Sequence, residues 1–416
     1  MRILWFTNNS CNYIQKGYNR TGEWMSALQD EMKKRADIEL GICFCMDNQP
    51  KKREEEGTTY YPIPQHRKAF KDKILDLWHY KDVTRDEILW SHYMTHFDKV
   101  IDDFHPDVIE VFGSELYMGL AAIAARKQKI PFGLHLQGLL SLFLILPPGF
   151  SRWQYIWKDW NPRHAFGRFQ ELVYWNRSCY REKAILNACT NVIGRTEWDR
   201  NALGGLNPGA RYHYGGEVLR PEFYEPLERQ MPTTPIITTT TSMPLYKGFD
   251  LVLKIARILK EEFQLQFVWN VYGSVDYAFA ERITGVKHTE VNVQLCGMAS
   301  AQQLHETLSK TTLYVQPSYI ENSPNSVCEA QILGVPVVAT NVGGTSSLIK
   351  HGETGYLFPA TDPYMGAYHI KRLIEDLNIN RKMGQASKEV ALVRHDRDKI
   401  VKDLLATYKS IIQDAQ

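Results

Sequence analysis

The sequence predicts an α/β protein of two Rossmann-like domains that face each other across a cleft. Short apolar segments alternate with helical segments through both halves of the chain, which is typical of parallel sheets covered by helices. Between the halves, residues 218–235 contain four prolines and no helix or strand period, which indicates a hinge. The length of 416 residues suits two domains of about 200 residues each.

Composition excludes several classes of protein. Lys and Arg number 49 against 47 Asp and Glu, and 44% of residues are hydrophobic, so the chain is neither disordered nor a polycationic nucleic-acid binder. The sequence has no run of 18 apolar residues and no Cys-x-x-Cys pair among its seven cysteines, and we expect no signal peptide. We therefore expect a cytoplasmic protein without disulfides or a thiolate zinc site.

The first half begins with a strand, a loop, a helix and a second strand, and the alternation continues after a charged segment, 48–64, that we interpret as a solvated loop. The predicted strands of this half lie at 3–7, 38–45, 108–112, 131–136 and 191–195. The predicted helices lie between 23 and 34, at 85–103 and 116–128, and from 197 onward.

The same rhythm restarts after the hinge. The predicted strands of the second half lie at 236–241, 265–272, 291–296, 312–317, 335–339 and 355–358. The predicted helices lie at 249–262, 301–309, 326–333, 345–350, 366–378 and 396–414. This pattern predicts domains at 1–218 and 219–395, followed by a C-terminal helix, 396–416, that packs back on the first domain.

The most informative segment of the sequence runs from Gln316 to Gly344. Glu321 follows a strand and Glu329 lies one turn into a helix, so both carboxylates can face one crevice. Asn325 or Ser326 is predicted to cap that helix. Carboxylates accept hydrogen bonds from the paired hydroxyls of sugar and ribose rings, and amides at a helix start bind phosphate.

This segment resembles the signature of the retaining GT-B glycosyltransferases of group 1, family four. The resemblance is close over 235–360 and loose in the first half. It is carried by Pro317-Ser318, Glu321-x7-Glu329, the Gly-x-Pro-Val-Val-Ala run at 334–339, Gly343-Gly344, Lys247-Gly248, Leu295-Cys-Gly297 and the block at 351–358.

The resemblance implies a donor site in the domain 219–395 for a nucleotide diphosphate sugar, a UDP- or GDP-sugar. It implies that Glu329 binds the donor ribose, that Lys247 pairs with the diphosphate, and that Glu321 holds hydroxyls of the transferred sugar. The further donor contacts that we expect come from Gly22, Gly297, Asn322, Ser323, Asn325 and Ser326.

One motif of the family is missing. The family usually has Gly-Arg shortly before the lysine, as a second cation for the diphosphate, whereas Thr240-Thr241-Ser242 stands here. Either a basic residue from elsewhere substitutes, or Lys247 acts with backbone amides alone.

The resemblance implies that the domain 1–218 binds the acceptor. Gly22 lies in the loop before the first helix, where a glycine permits close approach of a phosphate, although a simple turn explains it too. His135 ends a strand at the place where the family has the histidine of its His-Gly or His-Asp pair. The resemblance therefore makes His135, Lys247 and Glu321 the expected catalytic residues. A purely structural role for His135 is the alternative.

Residues 139–175 combine an apolar run with tryptophans, and Arg152 to Lys183 contain seven basic against three acidic residues. One interpretation is a membrane surface that meets a lipid-linked acceptor; the other is a buried core with an aromatic shelf for sugar rings. The tryptophans assigned to this acceptor or membrane surface are Trp153, Trp157 and Trp160. His92 and His96 lack a third ligand, and we expect no metal site.

Together these features predict a retaining hexosyltransferase that transfers sugar to a glycan or lipid-linked saccharide in cell-surface polysaccharide synthesis. We expect no cofactor, no metal and no nucleic acid, and a location in the cytoplasm with peripheral contact at the inner face of the membrane. The resemblance implies front-side attack, with the departing phosphate as base. The alternatives are a sugar-nucleotide epimerase and a non-catalytic nucleotide-sugar-binding protein.

Overall fold

The structure, a computed structural model, describes residues 1–13, 24–46, 51–66, 70–143, 150–158 and 161–415. The chain forms two compact units. Unit 1 consists of residues 1–145, 162–218 and 397–416, and unit 2 consists of residues 146–161 and 219–396. The main crossing from unit 1 to unit 2 follows Val218, and the chain returns to unit 1 after Asp396.

The elements are numbered along the chain. The strands are β1 Arg2–Thr7, β2 Glu39–Met46, β3 Arg53–Glu55, β4 Thr58–Pro64, β5 Val108–Phe112, β6 Phe132–His135, β7 Asn191–Gly194, β8 Arg211–Tyr214, β9 Ile236–Thr241, β10 Val268–Gly273, β11 Val293–Gly297, β12 Leu313–Gln316, β13 Val337–Thr340 and β14 Tyr356–Phe358. The helices are α1 Trp24–Lys33, α2 Phe70–Trp78, α3 Trp90–Phe104, α4 Ala121–Lys127, α5 Leu140–Phe143, α6 Arg152–Trp157, α7 Pro162–Ala188, α8 Glu197–Leu206, α9 Phe249–Arg257, α10 Tyr277–Thr284, α11 Ala301–Ser309, α12 Asn325–Ile332, α13 Thr345–Leu348, α14 Pro363–Glu375, α15 Leu377–Arg394 and α16 Arg397–Asp414.

Unit 1 is built on a sheet of order β3-β4-β2-β1-β5-β6-β7-β8, parallel throughout except for the β3–β4 pair. Residues 3–6 of the central strand β1 are completely buried, as expected for a parallel strand covered on both faces. The last helix, α16, contributes Tyr408 and Ile411 to the same core as Trp5. The C-terminal segment is therefore part of the core of unit 1.

Unit 2 is built on a parallel sheet of order β11-β10-β9-β12-β13-β14. A buried hydrogen bond joins two of its central strands: Trp269 on β10 donates from Nε1 to Oγ1 of Thr239 on β9 at 3.0 Å. Because β9, β12 and β13 are neighbours, the loops after their carboxyl ends lie side by side. That edge of the sheet is where α/β folds bind ligands.

The prediction of a solvated loop over 48–64 was wrong. Thr58–Pro64 forms β4, which pairs in parallel with β2, and the charged Arg53–Glu55 forms the antiparallel edge strand β3. The β-branched and aromatic residues of 58–63 favour a strand, and the neighbouring charges concealed this signal. The residues at 47–50 lie outside the described ranges.

Several helices were not predicted, the longest being α7 with 27 residues. Its buried residues include Arg177, Arg181 and Glu182, so the face that packs inward has no continuous apolar period. The sequence pattern could not identify such a helix. Helices α2, α10 and α15 and strand β8 were also missed.

Candidate functional site

The turn before α9 brings Lys247 to the edge of the unit 2 sheet. Gly248 has a left-handed backbone, with φ of 80°, and a Cβ there would lie 2.0 Å from the Pro317 carbonyl oxygen. Only glycine permits this close approach of two backbones. The Tyr319 amide also donates to the Tyr246 carbonyl at 2.7 Å, so the turn before α9 is fastened to the loop after β12.

Lys247 and Glu321, two of the expected catalytic residues, are in direct contact. The Lys247 Nζ donates to Glu321 Oε1 at 2.6 Å. The same carboxylate oxygen accepts from the Ser318 hydroxyl at 2.9 Å and from Gln316 Nε2 at 3.1 Å. Glu321 is 8% exposed, and three donors on one oxygen fix its position.

The ammonium group of Lys247 stays charged in this environment. Burial alone would lower the pKa of Lys247, but Glu321, together with Tyr246 and the Glu321 hydrogen bond, raises it above its usual value. A compact, charged donor of this kind suits the oxygens of a diphosphate.

The glycine pair after β13 packs against the backbone of Glu321. Gly343 has a φ of 50°, and a Cβ on it would lie 1.7 Å from the Glu321 carbonyl oxygen. The Gly344 amide donates to that oxygen at 3.0 Å. The Gly-Gly motif therefore has a structural reason: it allows the β13 loop to hold the β12 loop.

Helix α12 begins at Asn325, with Pro324 as its N-cap and no side-chain hydrogen bond to its first amides. The prediction that Asn325 or Ser326 caps the helix was wrong, because both lie inside it. The Ser326 hydroxyl instead donates to Gln316 Oε1 at 3.3 Å. The first amides of α12 lack a side-chain cap, which favours an anion at this end.

These groups line one pocket of 350 Å³ at the carboxyl edge of the unit 2 sheet. Of the expected donor contacts, Lys247, Glu321, Ser323, Asn325 and Ser326 line it, whereas Asn322 is 3% exposed and does not line it. The remaining lining residues are Thr240, Thr241, Ser242, Gln316 and Pro324.

Glu329 forms an ion pair that the sequence did not predict. Arg220 donates from Nε to Oε1 at 2.7 Å and from Nη2 to Oε2 at 2.8 Å. The two side chains are only 17% and 6% exposed. Arg220 follows the crossing into unit 2 by two residues, so a guanidinium from the linker engages the carboxylate expected to bind ribose.

The segment that replaces the family's Gly-Arg is tied to the sheet by hydroxyl groups. Thr240 bonds through its amide and its hydroxyl to the Tyr314 hydroxyl, at 3.1 and 2.7 Å. The Thr241 hydroxyl donates to the Lys247 carbonyl at 3.3 Å. This segment therefore presents hydroxyl groups, and no cation, to the pocket.

Glu329 and Gly297, like Asn322, are not among the residues that line this pocket. Gly297 ends β11 with a φ of 71°, two strands away from β9 in the sheet. Gly22 lies outside the described residues.

His135 ends β6 in unit 1 and is 1% exposed. Its Nδ1 lies 2.7 Å from Oε1 of Glu110 on β5, and its Nε2 has no hydrogen-bond partner among the described residues. Tyr408 of α16 donates to the other oxygen of Glu110. A buried carboxylate, which the apolar pattern of β5 concealed, therefore holds the predicted catalytic histidine.

A cavity of 630 Å³ opens at the carboxyl edge of the unit 1 sheet. It is lined by residues that follow strands β4, β1 and β5, by Cys45 of the neighbouring strand β2, and by residues of α2, α3 and α7. Among those that line it are Asn8, Gln65, His66, Leu116, Tyr117 and Tyr174. The sequence did not identify this cavity, because its lining residues are scattered between Asn8 and Arg177 and carry no motif.

Some of the basic residues that give 152–183 its positive charge are buried. Arg177 Nη1 pairs with Asp76 at 2.7 Å, and Arg181 Nη1 pairs with Asp86 at 2.8 Å, with both arginines buried. Glu182, also buried, accepts from the amides of residues 140 and 141 at the start of α5. Two of the seven basic residues therefore neutralise buried aspartates.

Two of the tryptophans assigned to an acceptor or membrane surface are exposed. Trp153 and Trp157 on α6 are 68% and 51% exposed, whereas Tyr155 and Ile156 between them are buried. Trp160 lies outside the described residues. The exposure of Trp153 and Trp157 excludes their burial in a core and fits an aromatic shelf for sugar rings as well as a membrane surface. Among the described residues, no helix has the length and apolar character to cross a bilayer.

Comparison with known proteins places one family on the second half of the chain. Residues 228–390 match the family model described as glycosyl transferases group 1. Two curated relatives are N-acetyl-alpha-D-glucosaminyl L-malate synthase of Bacillus anthracis, 28% identical over 129 residues, and D-inositol 3-phosphate glycosyltransferase of Corynebacterium diphtheriae, 32% identical over 115 residues. These matches cover 31% and 28% of this chain but only 34% and 26% of the relatives.

Solved structures match over nearly the whole chain. Sucrose-phosphate synthase of Thermosynechococcus elongatus gives a TM-score of 0.73 at 16% identity and covers 99% of both chains. Anabaena HepE in complex with UDP and glucose gives 0.65 at 16% identity, with 99% of this chain and 100% of that chain covered. At such identities the likeness shows a shared fold.

Proposed function

We propose that this chain, a GT-B protein whose residues 228–390 match the glycosyl transferases group 1 family, is a glycosyltransferase that takes sugar from a nucleotide diphosphate donor. The observation that carries the proposal is the contact of Lys247 with Glu321 beside the uncapped start of α12. A cation, a carboxylate suited to sugar hydroxyls and the amides of a helix start without a side-chain cap then lie in one pocket. This combination suits a diphosphate joined to a sugar.

The donor is a UDP- or GDP-sugar in this proposal. The pyrophosphate takes the hydrogen bonds of Lys247 and of the α12 amides, and the ribose hydroxyls bind Glu329. HepE, a structural neighbour, has been solved with UDP-glucose, which supports a uridine nucleotide as the first to test. As the bond to the sugar breaks, Lys247 and the helix dipole stabilise the charge that develops on the departing phosphate.

The transfer retains the anomeric configuration in this proposal, by front-side attack. The acceptor oxygen approaches on the face of the leaving group, and the departing phosphate takes its proton. The support for retention is the resemblance of the Glu321–Glu329 motif to retaining enzymes. The anomeric configuration of the first product, read by proton NMR, tests it, since an inverted product would contradict retention.

Unit 1 supplies the acceptor side. The 630 Å³ cavity has the size of a site for a small saccharide and lies at the strand ends where α/β folds bind ligands. Tyrosine rings, amides and a histidine line it, which suits stacking and hydrogen bonding of a glycan or a lipid-linked saccharide. Synthesis of a cell-surface polysaccharide is the setting that we propose.

Peripheral contact with the inner face of the membrane belongs to the same proposal. The exposed Trp153 and Trp157 stand near Arg152 and Lys158, which are exposed too. Aromatic and basic side chains together favour an anionic lipid surface. Flotation with anionic vesicles tests this contact, and a protein that stays at the bottom of the gradient would remove it.

The test of function is product analysis with the purified protein. UDP- and GDP-sugars are incubated with and without a panel of saccharide and lipid-linked acceptors, and the products are identified by mass spectrometry. A glycosyltransferase gives a larger acceptor only when both substrates are present. An epimerase gives an altered sugar nucleotide or free sugar without acceptor, and a non-catalytic binder gives no product while still binding nucleotide by calorimetry. Either of these outcomes would overturn the proposal.

A further inference from the structure

A chain of buried hydrogen bonds ends at His135 in unit 1. Trp5 donates from Nε1 to the Tyr408 hydroxyl oxygen at 3.1 Å, and Tyr408 donates to Glu110 Oε2. Glu110 Oε1 lies 2.7 Å from His135 Nδ1. These four residues are at most 1% exposed.

A carboxylate at the position of Glu110 costs free energy of folding unless hydrogen bonds compensate its burial. Glu110 lies in the middle of β5, whose other residues, Val108, Ile109, Val111 and Phe112, are apolar and completely buried. Burial of a carboxylate destabilises a fold unless hydrogen bonds compensate it. Both oxygens of Glu110 are used, one by Tyr408 and one by His135.

The direction of the hydrogen bonds follows from their donors. The indole N–H of Trp5 can only donate, so the Tyr408 oxygen accepts from it and the Tyr408 proton points to Glu110. Burial and Glu110 raise the pKa of Tyr408 well above its usual value, so Tyr408 keeps this proton. An ionised carboxylate is an acceptor only, and Nδ1 of His135 must then carry a hydrogen. The second ring nitrogen, Nε2, is left to act on a ligand.

The surroundings hold the ring, and Nε2 has no hydrogen-bond partner in the part of the chain that the structure describes. The His135 ring stacks on Phe112, with centroids 5.2 Å apart, and meets Trp24 at 5.5 Å. Gly215 borders the ring, and a Cβ there would lie 3.8 Å from Nε2 and 2.3 Å from Ile193. The glycine therefore keeps a side chain away from this edge of the imidazole.

We propose that Glu110 and Tyr408 are positioning residues that fix the Nδ1–H tautomer of His135, so that its Nε2 accepts a hydrogen bond from a substrate hydroxyl. The inference rests on the proposed function, because it deepens the role of a residue expected to contact substrate. It also gives the last helix of the chain a part in the site, since Tyr408 lies 298 positions after Glu110.

Two other charged groups lie near His135 or its strand: Arg195, which is paired, and Glu115, which titrates with a raised pKa. Arg195, whose guanidinium stands 5.2 Å from the Trp24 ring, pairs with Glu217 at 2.9 Å. Burial raises the pKa of Glu115 to about 7, and its side chain lies beside Gly113, which follows β5. The titration of Glu115 therefore contributes to the dependence of activity on pH. The pH profile of each variant must be compared with the wild-type profile.

The experiment compares His135→Ala, Glu110→Gln, Tyr408→Phe and a control, Tyr60→Phe, in the full-length protein. Tyr60 is another buried tyrosine of unit 1, and its hydroxyl bonds Gln29 at 2.6 Å, outside this chain of hydrogen bonds. We expect Glu110→Gln to lower kcat by about 10- to 100-fold, the range found when the hydrogen-bond partner of a metal-bound imidazole is removed, with little change in the donor KM. Tyr408→Phe should lower kcat less and shift the pH profile, and Tyr60→Phe should change neither.

The tautomer itself is read by ¹⁵N NMR of the ring nitrogens of His135, assigned by its loss in His135→Ala. We expect hydrogen on Nδ1 in the wild type and a mixture in Glu110→Gln. Wild-type kcat and pH profile in a folded Glu110→Gln, or hydrogen on Nε2 alone in the wild type, would overturn the inference while leaving the proposed function intact. Full activity of His135→Ala would instead remove His135 from the proposed site. If Glu110→Gln fails to fold by circular dichroism, Tyr408→Phe, which removes one oxygen, decides by the same two readouts.

Discussion

Arg220 binds the carboxylate of Glu329 through two hydrogen bonds, from Nε at 2.7 Å and from Nη2 at 2.8 Å. This bidentate geometry is the strongest form of an arginine–carboxylate pair and also fixes the plane of the carboxylate. A ribose that binds Glu329 must therefore use the lone pairs that Arg220 leaves free. Arg220 therefore fixes the orientation of the carboxylate that we propose to bind the ribose.

Replacement of Arg220 by alanine should weaken both the fold and nucleotide binding. Glu329 is 5% exposed, and loss of one partner from a buried ion pair costs about 3–5 kcal/mol of unfolding free energy. Urea denaturation measures the stability, and calorimetry with UDP and GDP measures the affinity. The control is Arg200→Ala, because Arg200 pairs with Glu197 at an exposed site, where such pairs contribute about 0–1 kcal/mol. Equal stability and affinity of the two variants would contradict an orienting role for Arg220.

Replacement of Lys247 by alanine should act on the chemical step. Removal of one group that stabilises transition-state charge lowers kcat by about 100- to 1000-fold. Rates with saturating donor measure kcat, and the matched control is Lys287→Ala. Lys287 precedes β11 and so lies toward the opposite edge of the sheet, in an exposed pair with Glu290. A kcat within twofold of the wild type in Lys247→Ala would exclude the site.

Replacement of Gly248 by alanine should separate the turn before α9 from the loop after β12. A Cβ would lie 2.0 Å from the Pro317 carbonyl oxygen, in addition to the strain of a positive φ, so Lys247 should move away from Glu321. The control is Gly285→Ala, at a φ of 68° with no atom within 4 Å of the new Cβ, where only the strain of about 1–2 kcal/mol applies. We expect Gly248→Ala to lose more stability than this control and to lose donor affinity as well. Unchanged donor affinity would contradict the argument that this glycine positions Lys247.

The stability of unit 2 should fall in mild acid because of His369. Burial, aided by His351 and Arg372, lowers the pKa of His369 to about 4, and its ring stacks on Tyr356 with centroids 4.4 Å apart. The folded state therefore favours the neutral ring. Its stabilising contribution is complete above the ordinary histidine pKa of about 6.5 and is lost as the pH falls toward 4.

Urea denaturation of the wild type and of His369→Phe between pH 7.5 and pH 4.5 measures this contribution. Phenylalanine keeps an aromatic ring on Tyr356 and removes the titrating group. We expect a smaller loss of stability on acidification in the variant. Parallel curves for the two proteins would mean that His369 does not titrate in this way.

The sequence predicted those parts of the structure that local patterns encode. Strand β9, with its β-branched run, and helix α11 were predicted at their observed bounds, because strand and helix periodicity are local. Lys247 and Glu321 were identified from their sequence motifs, and their side chains are in contact in the structure. Arg220, Glu110 and Tyr408 were not predicted, because their partners lie 109 and 298 residues away in the chain. A glutamate within an otherwise apolar strand was the one available signal for Glu110.

The unit 1 cavity makes the acceptor side testable through Tyr174. This residue of α7 lines the cavity and is 46% exposed, so its ring is available to a sugar, whereas Tyr117 is covered by the Arg181 guanidinium at 4.0 Å. Stacking on an aromatic ring contributes about 0.5–1.5 kcal/mol, which corresponds to a change in affinity of about 2- to 12-fold. We expect Tyr174→Ala to raise the acceptor KM by such a factor without changing the donor KM.

The matched control for Tyr174→Ala is Phe166→Ala. Phe166 lies on the same helix and is 51% exposed, but it is not among the residues that line the cavity. Both variants lose one exposed ring from α7, so a general effect on the helix would appear in both. Initial rates with the acceptor identified by product analysis give the two KM values. Of these two residues, Tyr174 lines the 630 Å³ cavity and Phe166 does not. An acceptor KM that rises equally in both variants, or in neither, would therefore place the acceptor elsewhere.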